Sequence, residues 1–195
     1  PSQPTTTPAT ATWTTFGSSM AVTGSSPYTI TQSTAPSTWT SGAYTAESGT
    51  NVFAQATPSQ TNTHMMFGLT RTTGTSYTAI EYAIYWEANG GLYIYESGTY
   101  IGGFGTYNTN FVGRVTYDGS YIRYYADIAG TRPLRIVSAA GLSGFKMQTS
   151  FYNGGAMNNV YFGSSSQTQT TTALVKLIGG GGGAIGIDDV AQGSG

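Results

Sequence analysis

The residues of this 195-residue chain with the chemistry for catalysis or metal binding are few. His64 is the only histidine and there is no cysteine, which removes disulfides, thiolate nucleophiles and thiolate metal sites. No Gly-x-Ser-x-Gly elbow accompanies His64, so it reads as a strand-entry histidine making ordinary hydrogen bonds. Glu81 and Glu87 are the nearest approach to a paired acid and base. Six residues apart on one strand, their carboxyls stand about 20 Å from each other at roughly 3.3 Å per residue. Glycoside hydrolysis needs about 5 to 9.5 Å, so this pair is not a dyad. Asp188-Asp189 are adjacent, and neighbouring strand residues point to opposite faces, which argues against a shared cation. The five glycines 179–183 lack the Lys-Ser/Thr and the following helix of a phosphate-binding loop and read as a flexible joint. No catalytic residue, metal ligand or cofactor is expected.

The aromatic side chains remain. Fifteen tyrosines and three tryptophans stand in a chain where Leu, Ile, Val and Phe together number only 33. Each aromatic buries on the order of 150–250 Å², so the core is expected to be built largely from rings. Alternation sorts them. On 82–87, Tyr82, Ile84 and Trp86 share one face, with Ala83 and Tyr85 on the other; on 92–96, Leu92 and Ile94 oppose Tyr93 and Tyr95. Two uses are open for Tyr85, Tyr93 and Tyr95: cross-strand packing pairs, or a platform for a sugar ring. Tyr44, Tyr77, Tyr100 and Tyr107 are the loop candidates for ligand contact, since binding groups concentrate on loops held by a rigid scaffold.

The elements that must position these rings are strands. Turn signals recur every 8–12 residues, Asn89-Gly90 and Asp118-Gly119 being the clearest, and no helical period interrupts them. Strands are expected over 51–57, 64–70, 79–87, 92–97, 99–105, 111–117, 120–127, 134–139, 145–152 and 157–163, with a first hairpin within 13–30 turning at Gly24-Ser25-Ser26-Pro27. The spacing predicts an all-β fold, an antiparallel β-sandwich or barrel. Residues 1–11, rich in Thr and Pro, read as an extended linker; 12–163 as the sandwich; 164–195 as a polar linker and Gly-rich tail with two short strands, 173–178 and 184–190.

Several stretches carry a resemblance. They are Thr61-Asn62-Thr63-His64-Met65-Met66-Phe67-Gly68-Leu69, Ser76-Tyr77-Thr78-Ala79-Ile80-Glu81-Tyr82-Ala83-Ile84-Tyr85, Ile94-Tyr95-Glu96-Ser97-Gly98, Tyr117-Asp118-Gly119 and Ile122-Arg123-Tyr124-Tyr125. Ser150-Phe151-Tyr152 and Asn159-Val160 complete the set. Together they resemble the concanavalin A-like lectin/glucanase domains, near their laminin G-like and SPRY-like variants, of phage tail proteins and bacterial secreted proteins. The resemblance covers roughly residues 12–163 and implies a jelly roll. The chain departs from the family's enzymes in having no Glu-x-Asp-x-x-Glu, and from its metal-binding lectins in having no Asp-x-Asp cluster.

Charged residues make up 8% of the chain and the formal net charge is −1, so no field attracts nucleic acid. No apolar run is long enough to cross a bilayer as a helix, and membrane insertion is not expected. The surface must stay wet through Thr, Ser, Asn, Gln and Gly. With the resemblance, this implies a non-enzymatic binding module, excised from a larger protein. The expected partner is a cell-surface glycan or outer-membrane receptor, met as part of a phage tail fibre, with a homotrimer as the assembly and the virion or cell surface as the location. A bacterial secreted adhesin and a self-assembling filament subunit joined by strand addition are the alternatives.

Overall fold

The computed structural model describes residues 3–127 and 132–166. Two antiparallel sheets face each other as a sandwich. In chain order the strands are β1 (Thr5–Pro8), β2 (Trp13–Phe16), β3 (Met20–Gly24), β4 (Tyr28–Gln32), β5 (Ser41–Thr45), β6 (Asn51–Pro58), β7 (Met65–Thr70), β8 (Tyr82–Trp86) and β9 (Gly91–Glu96). There follow β10 (Thr99–Thr106), β11 (Gly113–Asp118), β12 (Tyr121–Ala126), β13 (Arg135–Ser138), β14 (Lys146–Phe151) and β15 (Gly155–Ser166). The first sheet runs β13-β12-β11-β6-β15-β4-β3, with β1 paired to the end of β15; the second runs β10-β9-β8-β7-β14-β5-β2. Among the described residues the only helical element is a 3-10 turn, Tyr77–Ala79.

The pattern of alternation decides which side of each strand is buried. Phe67, Leu69, Ile84, Trp86, Leu92 and Ile94 of the second sheet meet Val115, Tyr117, Ile122, Tyr124 and Val160 of the first. Trp86 packs on Phe67 at 5.0 Å and Tyr117 on Phe145 at 4.7 Å, so rings do supply much of the interior. The β8–β9 hairpin closes at Asn89-Gly90 as its sequence predicts: Gly90 takes φ +84° and the Gly91 N–H donates to Asn89 Oδ1 at 2.7 Å.

Three segments differ from expectation. The lead, expected as linker, contains β1, which pairs Thr5–Pro8 with Gly163–Ser166. Threonine suits an extended edge strand, and Pro8 at its end takes no ladder donor away from the interior. Residues 13–30 hold three strands, not two: the hairpin is β3–β4, turning at Gly24 to Tyr28, while β2 crosses to the second sheet beside β5. β5 itself lies in a stretch that reads as irregular, because Ser41-Gly42-Ala43-Tyr44-Thr45 carries little apolar alternation. It is held by register instead: the Ala43 N–H donates to Thr149 Oγ1 and the Met147 N–H to Thr45 Oγ1. The expected strands at 173–178 and 184–190 and the glycine run lie outside the described residues.

Candidate functional site

The second sheet has an outer face as well as an inner one. Register places Met66, Tyr85 and Tyr93 in one cross-strand row and Gly68, Ala83, Tyr95 and Tyr100 in the next, all pointing away from the core. Gly68 is required there. A Cβ at this position would meet the Tyr82 carbonyl oxygen of the neighbouring strand, so only glycine permits the pairing.

Two further segments fold onto this face. The loop after β7 crosses it because Gln148, buried on β14, accepts from the Gly74 N–H at 3.1 Å and donates to the Gly74 carbonyl at 3.0 Å. Thr70 Oγ1 fastens its far end to the Ala79 carbonyl at 2.7 Å. This lays Tyr77 over the sheet. At the other end, the Tyr152 N–H donates to the His64 carbonyl and the Thr38 N–H to the Tyr152 carbonyl, both at 3.1 Å. Trp39, His64 and Tyr152 are thereby brought side by side.

The result is a continuous aromatic network. Trp39 contacts Tyr77, Tyr85 and Tyr152 at 5.1, 5.7 and 5.5 Å. His64 stacks on Tyr85 at 6.0 Å, with its Nδ1 2.6 Å from the Tyr85 hydroxyl. Tyr85 continues to Tyr93 and Tyr95, and both of those reach Tyr100, which is 54% exposed. Trp39, His64, Tyr85 and Tyr152 line an open cleft of about 300 Å³. Ring contacts of this kind stabilise by about 0.5–1.5 kcal/mol each, so the network holds its own shape. Packing and presentation are therefore not exclusive uses of Tyr85: its ring packs on its neighbours and also lines the cleft.

Electrostatically the site is quiet. Burial pushes the Tyr85 phenol well above the usual range, with the nearby Glu87 carboxylate adding to it; for Tyr93 a hydrogen bond to Glu87 is the main cause of a raised value. The Tyr85 and Tyr93 hydroxyls are thus neutral donors and acceptors at physiological pH. Most other described carboxylates are committed elsewhere. Glu81 pairs with Arg71 at 3.0 Å, Glu96 with Arg135 at 2.7 Å and Asp118 with Arg123, while Glu47 accepts from the Thr12 N–H. Glu81 precedes β8 and Glu87 follows it, at opposite ends of the strand. Among the described residues no group of three or more His, Asp or Glu stands together.

Of the seven tyrosines singled out by sequence, five lie in the network: Tyr77, Tyr85, Tyr93, Tyr95 and Tyr100. Tyr44 does not join them; it stacks on Phe16 at 6.1 Å, across the sheet on β5. Tyr107, expected on an exposed loop, is buried against Trp86, and its hydroxyl donates to the Glu87 carbonyl at 2.9 Å. The Glu87 carbonyl also accepts from the Gly90 N–H at 2.9 Å, so the Tyr107 hydroxyl is a second donor that ties the ring to the hairpin turn. Sequence reasoning missed Trp39, His64 and Tyr152 as site residues. No sequence signal joins them: Tyr152 follows β14 and His64 precedes β7, strands distant in the chain whose ends meet only through sheet pairing.

No protein-family model and no curated protein sequence matches the chain. Among solved structures it is similar to the carbohydrate-binding module CBM66 from Bacillus subtilis, at 15% identity and TM-score 0.55, over 80% of this chain and 97% of that one. It is also similar to the exoplasmic/lumenal domain of VIP36 in a Ca2+/Man3GlcNAc-bound form, at 10% identity and TM-score 0.52, over 82% and 86%. A sialidase matches at 8% identity and TM-score 0.52, over 78% of this chain but 17% of that one. The sandwich is a concanavalin A-like jelly roll.

Proposed function

We propose that this chain is a non-enzymatic glycan-binding module that attaches a larger assembly to a cell surface. The observation that carries this is the aromatic cleft formed by Trp39, His64, Tyr85 and Tyr152, continued by Tyr93 and Tyr100 along the outer face. Partly exposed rings offer apolar faces to the C–H side of a sugar, and neutral hydroxyls take up its hydroxyl groups. An outward apolar surface of this extent on a rigid sheet is a usual mark of a binding site. Of the structural neighbours, one is a carbohydrate-binding module and another is a lumenal domain in a Man3GlcNAc-bound form.

The absence of turnover rests on the carboxylates. Glu81, Glu96 and Asp118 are tied to arginines, and Glu81 and Glu87 are separated by the length of β8. No two of these acids flank the cleft at the spacing that glycoside hydrolysis needs. A glycan array probed with the full chain, followed by mass analysis of the bound sugars, tests both halves: retention of an intact glycan is expected, and a cleaved product overturns the non-enzymatic assignment.

In its finer form the proposal puts the module in the virion, as the receptor-binding part of a trimeric phage tail fibre or tail tip that meets a surface glycan or outer-membrane component. The low-charge, Thr- and Ser-rich composition supports it. A secreted bacterial adhesin has the same composition. Competition by the purified chain against phage adsorption supports the first, and loss of bacterial adhesion on deletion of the gene supports the second.

A further inference from the structure

Four rings of the network close on themselves. Trp39 contacts Tyr77 at 5.1 Å and Tyr85 at 5.7 Å, and Tyr95 contacts the same two tyrosines at 6.2 and 5.5 Å. Adjacent rings meet at 53°, 73°, 84° and 85°, as the walls of a box do. Among the described residues no ring contact joins the diagonal pairs Trp39–Tyr95 or Tyr77–Tyr85. Between the walls stands a hollow of about 70 Å³, lined by these four rings and Met66. That is room for a small group rather than for a single water molecule. The same four rings roof a small buried cluster of Met66, Ile80 and Ala83, which fixes them in place.

The chemistry of the hollow is specific. With neighbouring ring centres 5.1 to 6.2 Å apart, a guest between them lies inside the ~6 Å reach of a cation–π contact. Met66, the fifth lining residue, is buried and brings a polarizable thioether. No cationic side chain lines the box. Arg71 is held by Glu81, and the Glu87 charge is felt at both Tyr85 and Tyr95. The local potential therefore favours a positive guest, and aromatic walls disfavour one that needs strong hydration.

We propose that the Trp39–Tyr77–Tyr95–Tyr85 box binds a methylated quaternary ammonium group of the choline type. This goes beyond the glycan assignment and does not depend on it, although Trp39 and Tyr85 serve both. The guest enters from the open side with its methyl groups against the four rings, leaving its substituent to continue along the outer face.

The test is a titration of the full chain with choline and with neohexanol, the neutral isostere in which carbon replaces nitrogen, followed by tryptophan fluorescence. Choline is expected to bind about tenfold more tightly than neohexanol. Tyr77→Leu and Tyr95→Leu keep apolar bulk but remove a π face, and each is expected to abolish that preference while circular dichroism shows an unchanged sheet. Sedimentation with phosphatidylcholine vesicles separates a lipid-borne head group, which pulls the chain down, from a soluble or polymer-borne one, which does not. Equal affinity for choline and neohexanol, or no binding of either, overturns the box. Neutral-glycan binding without choline preference leaves the glycan assignment standing, and choline preference without glycan binding does the reverse.

Discussion

Tyr85 joins every part of the site. Its ring touches Trp39, His64, Tyr93 and Tyr95, and its hydroxyl meets His64 Nδ1. Tyr85→Ala is therefore expected to weaken glycan affinity at least about tenfold, the scale of one lost aromatic contact, with the far-ultraviolet spectrum unchanged. Tyr107 serves the opposite purpose. Burial, with Glu87 nearby, pushes its phenol up to about 12 from an ordinary 10. A phenol whose folded-state value lies above its unfolded one stabilises the fold below the unfolded value and loses that contribution as pH rises. Stability is thus expected to fall between about pH 10 and 12, and Tyr107→Phe to flatten that fall in denaturant titrations across this window. At this scale the sequence is informative in one direction. Alternation separates Tyr85, Tyr93 and Tyr95 from the core-facing set, but it says nothing of a loop residue, which is why Tyr107, expected as a ligand contact, is buried against Trp86 instead.

Among the elements, the sheet under the site tolerates little change. At Gly68 any side chain meets the Tyr82 carbonyl oxygen, so Gly68→Ala is expected to cost about 1–3 kcal/mol in chemical denaturation and to disturb the β7–β8 pairing. The two sheets are also clasped at an edge. Arg135 of β13 pairs with Glu96 of β9, which accepts in addition from the Tyr124 hydroxyl at 3.2 Å. Because Arg135 is one-third exposed, Glu96→Gln is expected to cost only about 1 kcal/mol. Strands with strong alternation or a defined turn, such as β8, β9, β11 and β12, are legible in the amino-acid sequence alone. β1, β2 and β5 are not: they are short, rich in Thr, Ser and Gly, and exist because a neighbour offers a ladder. Local sequence records propensity, whereas these strands record tertiary pairing.

For the whole molecule, the jelly roll supplies a rigid frame whose outer face carries the cleft and the box, while three of its described carboxylates are paired with arginines. With 8% charged residues and a net charge of −1, recognition of a neutral sugar has little electrostatic component. Affinity for such a glycan is expected to change less than about twofold with added salt. The lectin-like architecture follows from turn spacing and the tyrosine-rich motifs; the grouping of His64, Trp39 and Tyr152 needs three separate strand ends to meet. The most direct test is calorimetric titration of the chain and of Tyr85→Ala with one array-selected glycan, with the sugar recovered afterwards. The account predicts saturable binding to the native chain, its loss in the variant, and an intact glycan; equal binding to both, or a hydrolysed one, would contradict it.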